Sequence, residues 1–100
     1  MNTINQIKNF VLNICTWQTE KLDINYPNYF HKLSVHIQDI IPGFVIEWIC
    51  VDNDNIWFEG NKIDNNGKFI TNGRVYLNDC KIKELTDVLN ILKSIDLFKS

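Results

Sequence analysis

The residues best suited to metal or thiol chemistry in this chain of 100 residues are three cysteines and two histidines. Cys15, Cys50 and Cys80 are separated by 35 and 30 residues, a spacing that fits neither a disulfide framework nor a pair of zinc ligands. His31 and His36 are five positions apart, about 140° around a helix, so they would not share a face as zinc ligands do. We therefore expect reduced thiols and no metal.

Cys80 is the best candidate for thiol chemistry, because a predicted helix begins at this residue. A thiol in the first turn of a helix can have a lowered pKa and therefore a higher reactivity. No histidine is near in the sequence to act as a base, and an accidental surface cysteine is commoner than a nucleophile. A small thiol enzyme is thus the least favoured of three functional hypotheses.

Other motifs that carry chemistry are absent from the sequence. It contains no GxSxG elbow, no glycine-rich phosphate loop and no HExxH zinc motif. The segment DNDN at 52–55 begins like a calcium loop, but the glycine and glutamate that an EF-hand requires further on do not follow. We predict a protein without enzymatic activity and without a cofactor.

The composition bounds the cellular setting and the partner. With 45% hydrophobic and 22% charged residues, one globular domain over residues 1–100 is expected. Apolar runs are too short to span a bilayer and no signal peptide is evident, which predicts a cytoplasmic protein without membrane contact. Ten basic against twelve acidic residues leave no basic field for nucleic acid, whereas mild acidity suits a basic protein partner.

Codon bias, rather than physics, explains the most unusual feature of the composition. The chain has no alanine, but it has fifteen isoleucines and fourteen asparagines. AT-rich codons produce this pattern, so a low-GC bacterial or phage origin is indicated.

Three segments have the hydrophobic period of amphipathic helices. The first covers about residues 2–21, with Asn2 or Thr3 as its cap. The second covers about 28–40 and is ended by Pro42-Gly43. The third covers about 80–98, with Asp79 as a plausible N-cap.

Between the second and third helices the period changes to that of strands. FVIEWICV, IWFEG and KFITNGRVYL are rich in β-branched and aromatic residues. The predicted fold class is therefore α+β, in the order α-α-β-β-β-α. It consists of a three-stranded antiparallel meander with two N-terminal helices and one C-terminal helix.

Two Asn-Gly pairs compete to form the turn between the last two strands. A type I′ turn at Asn66-Gly67 makes a long hairpin with favourable or neutral pairs, whereas Asn72-Gly73 allows only three pairs. The turn at Asn66-Gly67 is therefore predicted, and Gly73 and Gly60 are predicted to mark a bend or bulge. The predicted partners are Ile63–Ile70, Gly60–Gly73, Glu59–Arg74, Phe58–Val75, Trp57–Tyr76 and Ile56–Leu77, and upstream Val51–Ile56, Cys50–Trp57, Ile49–Phe58 and Trp48–Glu59.

Alternation along these strands gives the sheet two faces. The aliphatic face, predicted to be core, carries Ile49, Val51, Ile56, Phe58, Val75 and Leu77. The aromatic face carries Ile46, Trp48, Cys50, Trp57 and Tyr76 together with Glu59, Arg74, Asn61 and Asn72. It is either covered by the first helix with Trp17, or partly open with a composition typical of binding hot spots.

The open alternative predicts the function of a non-catalytic protein-binding module. Its most concrete form is a small inhibitor or immunity-type protein that neutralises a toxin or a defence enzyme. The alternative is a homo-oligomeric structural or adaptor protein, such as a homodimer, that uses the aromatic face as a self-interface. The predicted partner-binding residues are Trp48, Trp57, Glu59, Arg74, Tyr76, Glu47, Asp52 and Asp54, although the two aspartates also suit a simple turn.

Overall fold

A computed structural model describes residues 2–18, 30–52 and 55–94, without the side chains of residues 15–18 and 30. In the sequence, one helix precedes the four strands and one helix follows them. The strands form one antiparallel sheet and lie side by side in chain order. The elements are α1 (Thr3–Gln18), β1 (Phe30–Ile37), β2 (Phe44–Asp52), β3 (Asn55–Ile63), β4 (Phe69–Tyr76), a 3₁₀ turn (Leu77–Asp79) and α2 (Ile82–Ser94). The class is α+β.

The predicted three-stranded meander with two N-terminal helices is wrong. Residues 30–37 of the segment predicted as a second helix form β1, which pairs with β2. Leu33 and Ile37 are buried while Ser34 is exposed. Leu33, Val35 and Ile37 also recur at every second position, but the helical spacing of Phe30, Leu33 and Ile37 conceals that strand signal.

The first predicted helix is confirmed as α1. The Asn2 side chain caps it, because the Asn5 backbone N–H donates to Asn2 Oδ1 over 2.8 Å. Ile7 and Val11 are fully buried on its inner side. The spacing of its apolar residues therefore gave the correct helix.

The C-terminal helix is confirmed as α2, but its predicted cap is wrong. Asp79 lies in the 3₁₀ turn, and the helix begins three residues later at Ile82. The Lys81 backbone N–H donates instead to Glu84 Oε1 over 2.8 Å, the reciprocal part of a capping box. Leu85 and Leu92 are buried on the inner side of this helix.

Pro42-Gly43 reverses the chain between two strands instead of ending a helix. The Phe44 N–H donates to the Ile41 carbonyl over 3.2 Å, and Gly43 has a φ of 71°. Proline at the second position and a glycine with positive φ at the third are the requirements of a type II turn. β1 and β2 therefore form a hairpin.

The reversal at Asn66-Gly67 is confirmed, but the type I′ turn is wrong. Gly67 has a φ of 78°, whereas no positive φ occurs at Asn66. The Gly67 N–H donates to the Asp64 carbonyl over 3.0 Å, and Asp64 Oδ1 accepts from the Asn66 and Lys68 N–H groups. The chain therefore turns over residues 64–67, with the aspartate side chain supporting it.

The predicted strand register is largely confirmed. All four pairs between β2 and β3, and the four pairs from Trp57–Tyr76 to Gly60–Gly73, are present. Ile63 pairs with Phe69 instead of Ile70, because the register shifts after Lys62. Leu77 leaves the sheet for the 3₁₀ turn, so its predicted pair with Ile56 is not formed.

A β-bulge in β2 changes the face of its first residues. Ile46 pairs with Gly60 and Trp48 pairs with Glu59, so Glu47 is an extra residue between them. Ile46 is completely buried in the core, and its predicted place on the aromatic face is wrong. The extra residue reverses the alternation upstream of Glu47.

Both helices pack on the aliphatic face of the sheet. Ile7 and Val11 of α1 share one core with the aliphatic face, so α1 does not lie over the aromatic face. Among the described helices, none is long and apolar enough to cross a membrane. The core residues are Ile7, Val11, Leu33, Ile37, Phe44, Ile46, Ile49, Val51, Ile56, Phe58, Leu77, Leu85, Val88, Leu89 and Leu92.

Candidate functional site

A cleft of about 460 Å³ lies on the aromatic face, across strands β2, β3 and β4. The bulge places Glu47 at its rim, and Gly60 and Gly73, which face each other across β3 and β4, also line it. Half of the eight predicted partner-binding residues are brought together here. The lining consists of Glu47, Trp48, Glu59, Gly60, Asn72, Gly73 and Arg74.

Glu59 connects two strands through one carboxylate oxygen. Its Oε1 accepts a hydrogen bond from Trp57 Nε1 over 3.0 Å and another from Arg74 Nη2 over 2.9 Å. The Arg74 guanidinium carbon also lies 4.4 Å from the centre of the Trp57 ring, a cation–π contact. A hydrogen bond to Tyr76, followed by the bond and charge of Glu59, raises the pKa of Arg74. This network fixes the charged groups in place.

The three aromatic rings of the predicted site differ in exposure. Trp57 is only 6% exposed, whereas Tyr76 is 40% exposed and Trp48 is half-buried. The Trp57 and Tyr76 rings lie 6.0 Å apart, with an angle of 50° between their planes. Trp57 therefore supports Arg74 and Tyr76 from below, while the other two rings present surface.

Lys32 is a site residue that the sequence interpretation missed. Its Nζ lies 3.8 Å from the centre of the Trp48 ring, a second cation–π contact on this face. Lys32 belongs to β1 and pairs with Cys50, so its side chain points to the aromatic face. Recognition of the two-residue period in β1 would have placed it there.

Glu47 provides the cleft with a negative charge. Asn61 Nδ2 donates to Glu47 Oε1, which orients the carboxylate without neutralising it. Within residues 2–18, 30–52 and 55–94, no ion pair involves Glu47. The carboxylate of Glu59, by contrast, is paired with Arg74.

Of the two aspartates of the predicted site, Asp52 does not line this cleft. Asp52 is at the other end of β2, roughly 16 Å from Glu47 at about 3.3 Å per residue. Its Oδ1 is buried without a hydrogen-bond partner in the part of the chain that is described. Asp54 lies outside the described residues. Among the described residues, the acidic side chains that line the cleft are those of Glu47 and Glu59.

Cys80 does not have the lowered pKa expected of a thiol at a helix start. It precedes Ile82, the first residue of α2, and its Sγ donates to the Tyr76 carbonyl over 3.6 Å. Burial, with smaller effects from Glu84 and Asp79, raises the pKa of the thiol from 9.0 to about 11. The electrostatic basis of the thiol-enzyme hypothesis is therefore wrong.

Alkylation of the Cys80 thiol is expected to be slow at pH 9 and to accelerate as the pH approaches 11. Because the pKa is raised, roughly one Cys80 thiol in a hundred is ionised at pH 9, and the thiolate is the reactive form. The measurement is the rate of iodoacetamide labelling at Cys80, located by peptide mass spectrometry. Cys80→Ser identifies the signal, and half-maximal labelling near pH 8.5 would contradict the raised pKa.

The fold and the cleft define an α+β protein with both described helices on one side of an antiparallel sheet and a charged, aromatic cleft on the other. No group of three or more histidine, cysteine, aspartate or glutamate residues in the described segments is placed to hold a metal ion. No protein-family model, curated protein or solved structure matches this chain. Its function is therefore argued from the cleft itself.

Proposed function

We propose that this chain is a non-catalytic protein-binding module, in its most concrete form a small inhibitor or immunity-type protein. It would neutralise a toxin or a defence enzyme by direct binding. The observation that supports this proposal is the cleft in which Glu47, Trp48, Glu59 and Arg74 meet. Tryptophan, tyrosine and arginine are enriched among the residues that dominate binding energies at protein interfaces.

The charges of the cleft favour a partner that inserts a basic side chain. Arg74 is paired with Glu59, so the carboxylate of Glu47 remains as the unbalanced charge of the lining. The Trp48 ring in the same lining already has Lys32 Nζ over one face, at 3.8 Å from the ring centre. A lysine or arginine of the partner would therefore complement the carboxylate of Glu47, in agreement with the net charge of −2.

The hydrogen-bond network supports binding because it fixes the cleft before the partner arrives. Trp57 and Glu59 hold Arg74 from two sides, and Arg74 Nη1 reaches the Tyr76 hydroxyl over 3.5 Å. Each side chain that is immobilised on association would otherwise cost about 0.5–1.5 kcal/mol of entropy. A fixed network avoids part of that cost.

The products of the two genes adjacent to the coding sequence are the partners to test first. One of them is expected to arrest growth of a bacterial host when expressed alone, and co-expression of this chain should restore growth. In titration calorimetry, Glu47→Gln should weaken binding at least about tenfold, or about 1.4 kcal/mol. Trp48→Ala should weaken the binding free energy by about 2 kcal/mol, because an aromatic ring of the docking surface is removed.

The matched control is Asp87→Asn in α2, which also removes one carboxylate charge. Asp87 pairs weakly with Lys83, at 3.9 Å, on the opposite side of the sheet from the cleft. It should bind like the wild type. Equal effects of Glu47→Gln and Asp87→Asn, or no binding of either gene product, would contradict the proposal. Self-association that Trp48→Ala abolishes would favour the homo-oligomeric alternative.

A further inference from the structure

Strand β4 forms an edge of the four-stranded sheet in the described part of the chain. Within the described segments, β3 is its sole neighbour in the sheet. Residues 69–72 are exposed, and the side chains of Phe69 and Ile70 are both 60% exposed. Unpaired N–H and C=O groups along such an edge can pair with a strand of another chain.

The two edges of this sheet differ in their protection. Both edge strands have an irregular register, β1 between Ser34 and Ile37 and β4 at Ile70. The strands differ in that β1 carries Lys32 and packs against α1. A lysine and a covering helix are features by which natural proteins block edge pairing. β4 contains no lysine, proline or acidic residue, and its single charge, Arg74, is held by Glu59 of its own sheet. The open edge is therefore β4.

We propose that β4 pairs antiparallel with β4 of a second copy of this chain, which joins two four-stranded sheets into one. This inference goes beyond the proposed function, because it uses the edge of the sheet and not the cleft. A two-fold axis perpendicular to the sheet relates the two strands. Residues opposite each other must share a face, so the axis passes through one residue and its own copy.

The chemistry of β4 selects the residue on the axis. Centring on Arg74 would oppose two guanidinium groups, which is unfavourable. Centring on Asn72 would bring apolar Ile70, the extra residue at the register shift, close to Arg74. Centring on Gly73 brings Ile70 close to Tyr76 of the second copy, so that two of the large exposed hydrophobic residues can make contact.

The same Gly73-centred register is compatible at its other positions. Asn72 lies opposite Arg74 of the second copy, where its amide oxygen can accept from the guanidinium, and Thr71 lies opposite Val75, a pair of β-branched residues. Asn72 and Arg74 also line the cleft. The dimer would therefore present two clefts side by side on one face of a continuous sheet.

Light scattering of the purified chain over about a hundredfold range of concentration tests the dimer. A mass of twice 11.8 kDa is expected at the upper end of the range. Ile70→Lys should weaken self-association at least tenfold, because it places a charge against Tyr76 of the second copy. The matched control is Ile82→Lys on α2, where the native side chain is 77% exposed, and this variant should remain a dimer.

A wild-type chain that stays monomeric throughout the range overturns the proposal. So does an equal effect of Ile70→Lys and Ile82→Lys, since association would then not depend on the β4 edge. These measurements contain no partner protein. A negative result here therefore contradicts the dimer alone. The proposed binding function is tested separately, with the products of the adjacent genes.

Oxidative cross-linking tests the register. In a Cys80→Ser background, Gly73→Cys should form a covalent dimer, because opposite Cβ atoms lie about 4.5–5.5 Å apart. The added Cβ would meet the flexible Lys62 side chain at 3.0 Å and the Phe44 ring at 3.4 Å, and thermal unfolding checks that the variant folds. Cross-linking of Asn72→Cys instead overturns the Gly73 register, and cross-linking of neither variant overturns the edge pairing.

Discussion

Replacement of Gly60 by alanine is expected to lower the free energy of unfolding by about 3 kcal/mol or more. A Cβ at this position would lie 1.8 Å from the Val45 carbonyl oxygen and 3.1 Å from the Glu47 backbone nitrogen. Both contacts are backbone atoms of the bulged segment, so β2 would have to move. The bulge that brings Glu47 to the cleft would be lost with the stability.

Gly73→Ala is the matched control for this effect. Gly73 faces Gly60 across the two strands, but the nearest atoms to its Cβ belong to the Lys62 side chain, at 3.0 and 3.2 Å. Because that side chain can rotate away, the change should stay within about 0.5 kcal/mol. Urea unfolding followed by circular dichroism measures both variants. A Gly60→Ala protein as stable as Gly73→Ala would contradict the close approach at the bulge.

Trp57→Ala is expected to lose about 3–5 kcal/mol of folding stability. The side chain is 6% exposed, lies in a central strand, and donates through Nε1 to Glu59. Its removal leaves a cavity and deprives Arg74 of the ring that it covers. Trp57 thus supports Arg74 at the cleft without lining the cleft itself.

Trp57→Phe separates ring packing from the hydrogen bond. It retains a buried aromatic ring but loses the N–H donor to Glu59. We expect the lost hydrogen bond to lower the free energy of unfolding by about 1 kcal/mol, and the cavity to be smaller than the one that alanine leaves. Tyr76→Ala, at a ring that is 40% exposed, should be less destabilising than Trp57→Ala. Thermal and urea unfolding check all three variants. Wild-type stability of Trp57→Ala would show that the ring is dispensable for folding.

The hairpin of β3 and β4 was predictable because its determinants are local. The reversal near Asn66-Gly67 fixed the pairs from Trp57–Tyr76 to Gly60–Gly73, and the structure confirms them. The turn type was not predictable from the Asn-Gly pair, since Asp64 moves the reversal one residue earlier by accepting two backbone N–H groups. Side chains outside the pair therefore decided the turn geometry.

β1 and the bulge at Glu47 could not be read from short segments. Phe30, Leu33 and Ile37 fit a helical spacing, and pairing with β2 makes their segment a strand. The bulge similarly depends on the partner strand, where Gly60 permits the close approach of Val45. Both features are set by contacts between strands. The spacing of apolar residues within one segment does not reveal such contacts.

The candidate site was predicted in composition but only partly in geometry. The register correctly placed Trp48, Glu59 and Arg74 together, because cross-strand neighbours follow from pairing. Burial of Trp57 was not visible, since alternation gives the face of a residue and not what covers it. The raised pKa of Cys80 likewise arises from burial and from acidic neighbours in the folded chain.

The sheet order also has a consequence for folding kinetics. Each strand lies beside its neighbour in the sequence, so every hairpin closes over a short loop. Such hairpins join residues at smaller sequence separations than crossover connections would, which lowers the contact order of the sheet and favours faster folding. Contact between α1 and α2, by contrast, joins opposite ends of the chain and carries the largest loop-closure entropy. We therefore expect the hairpins to form first and the meeting of the two helices to complete the fold.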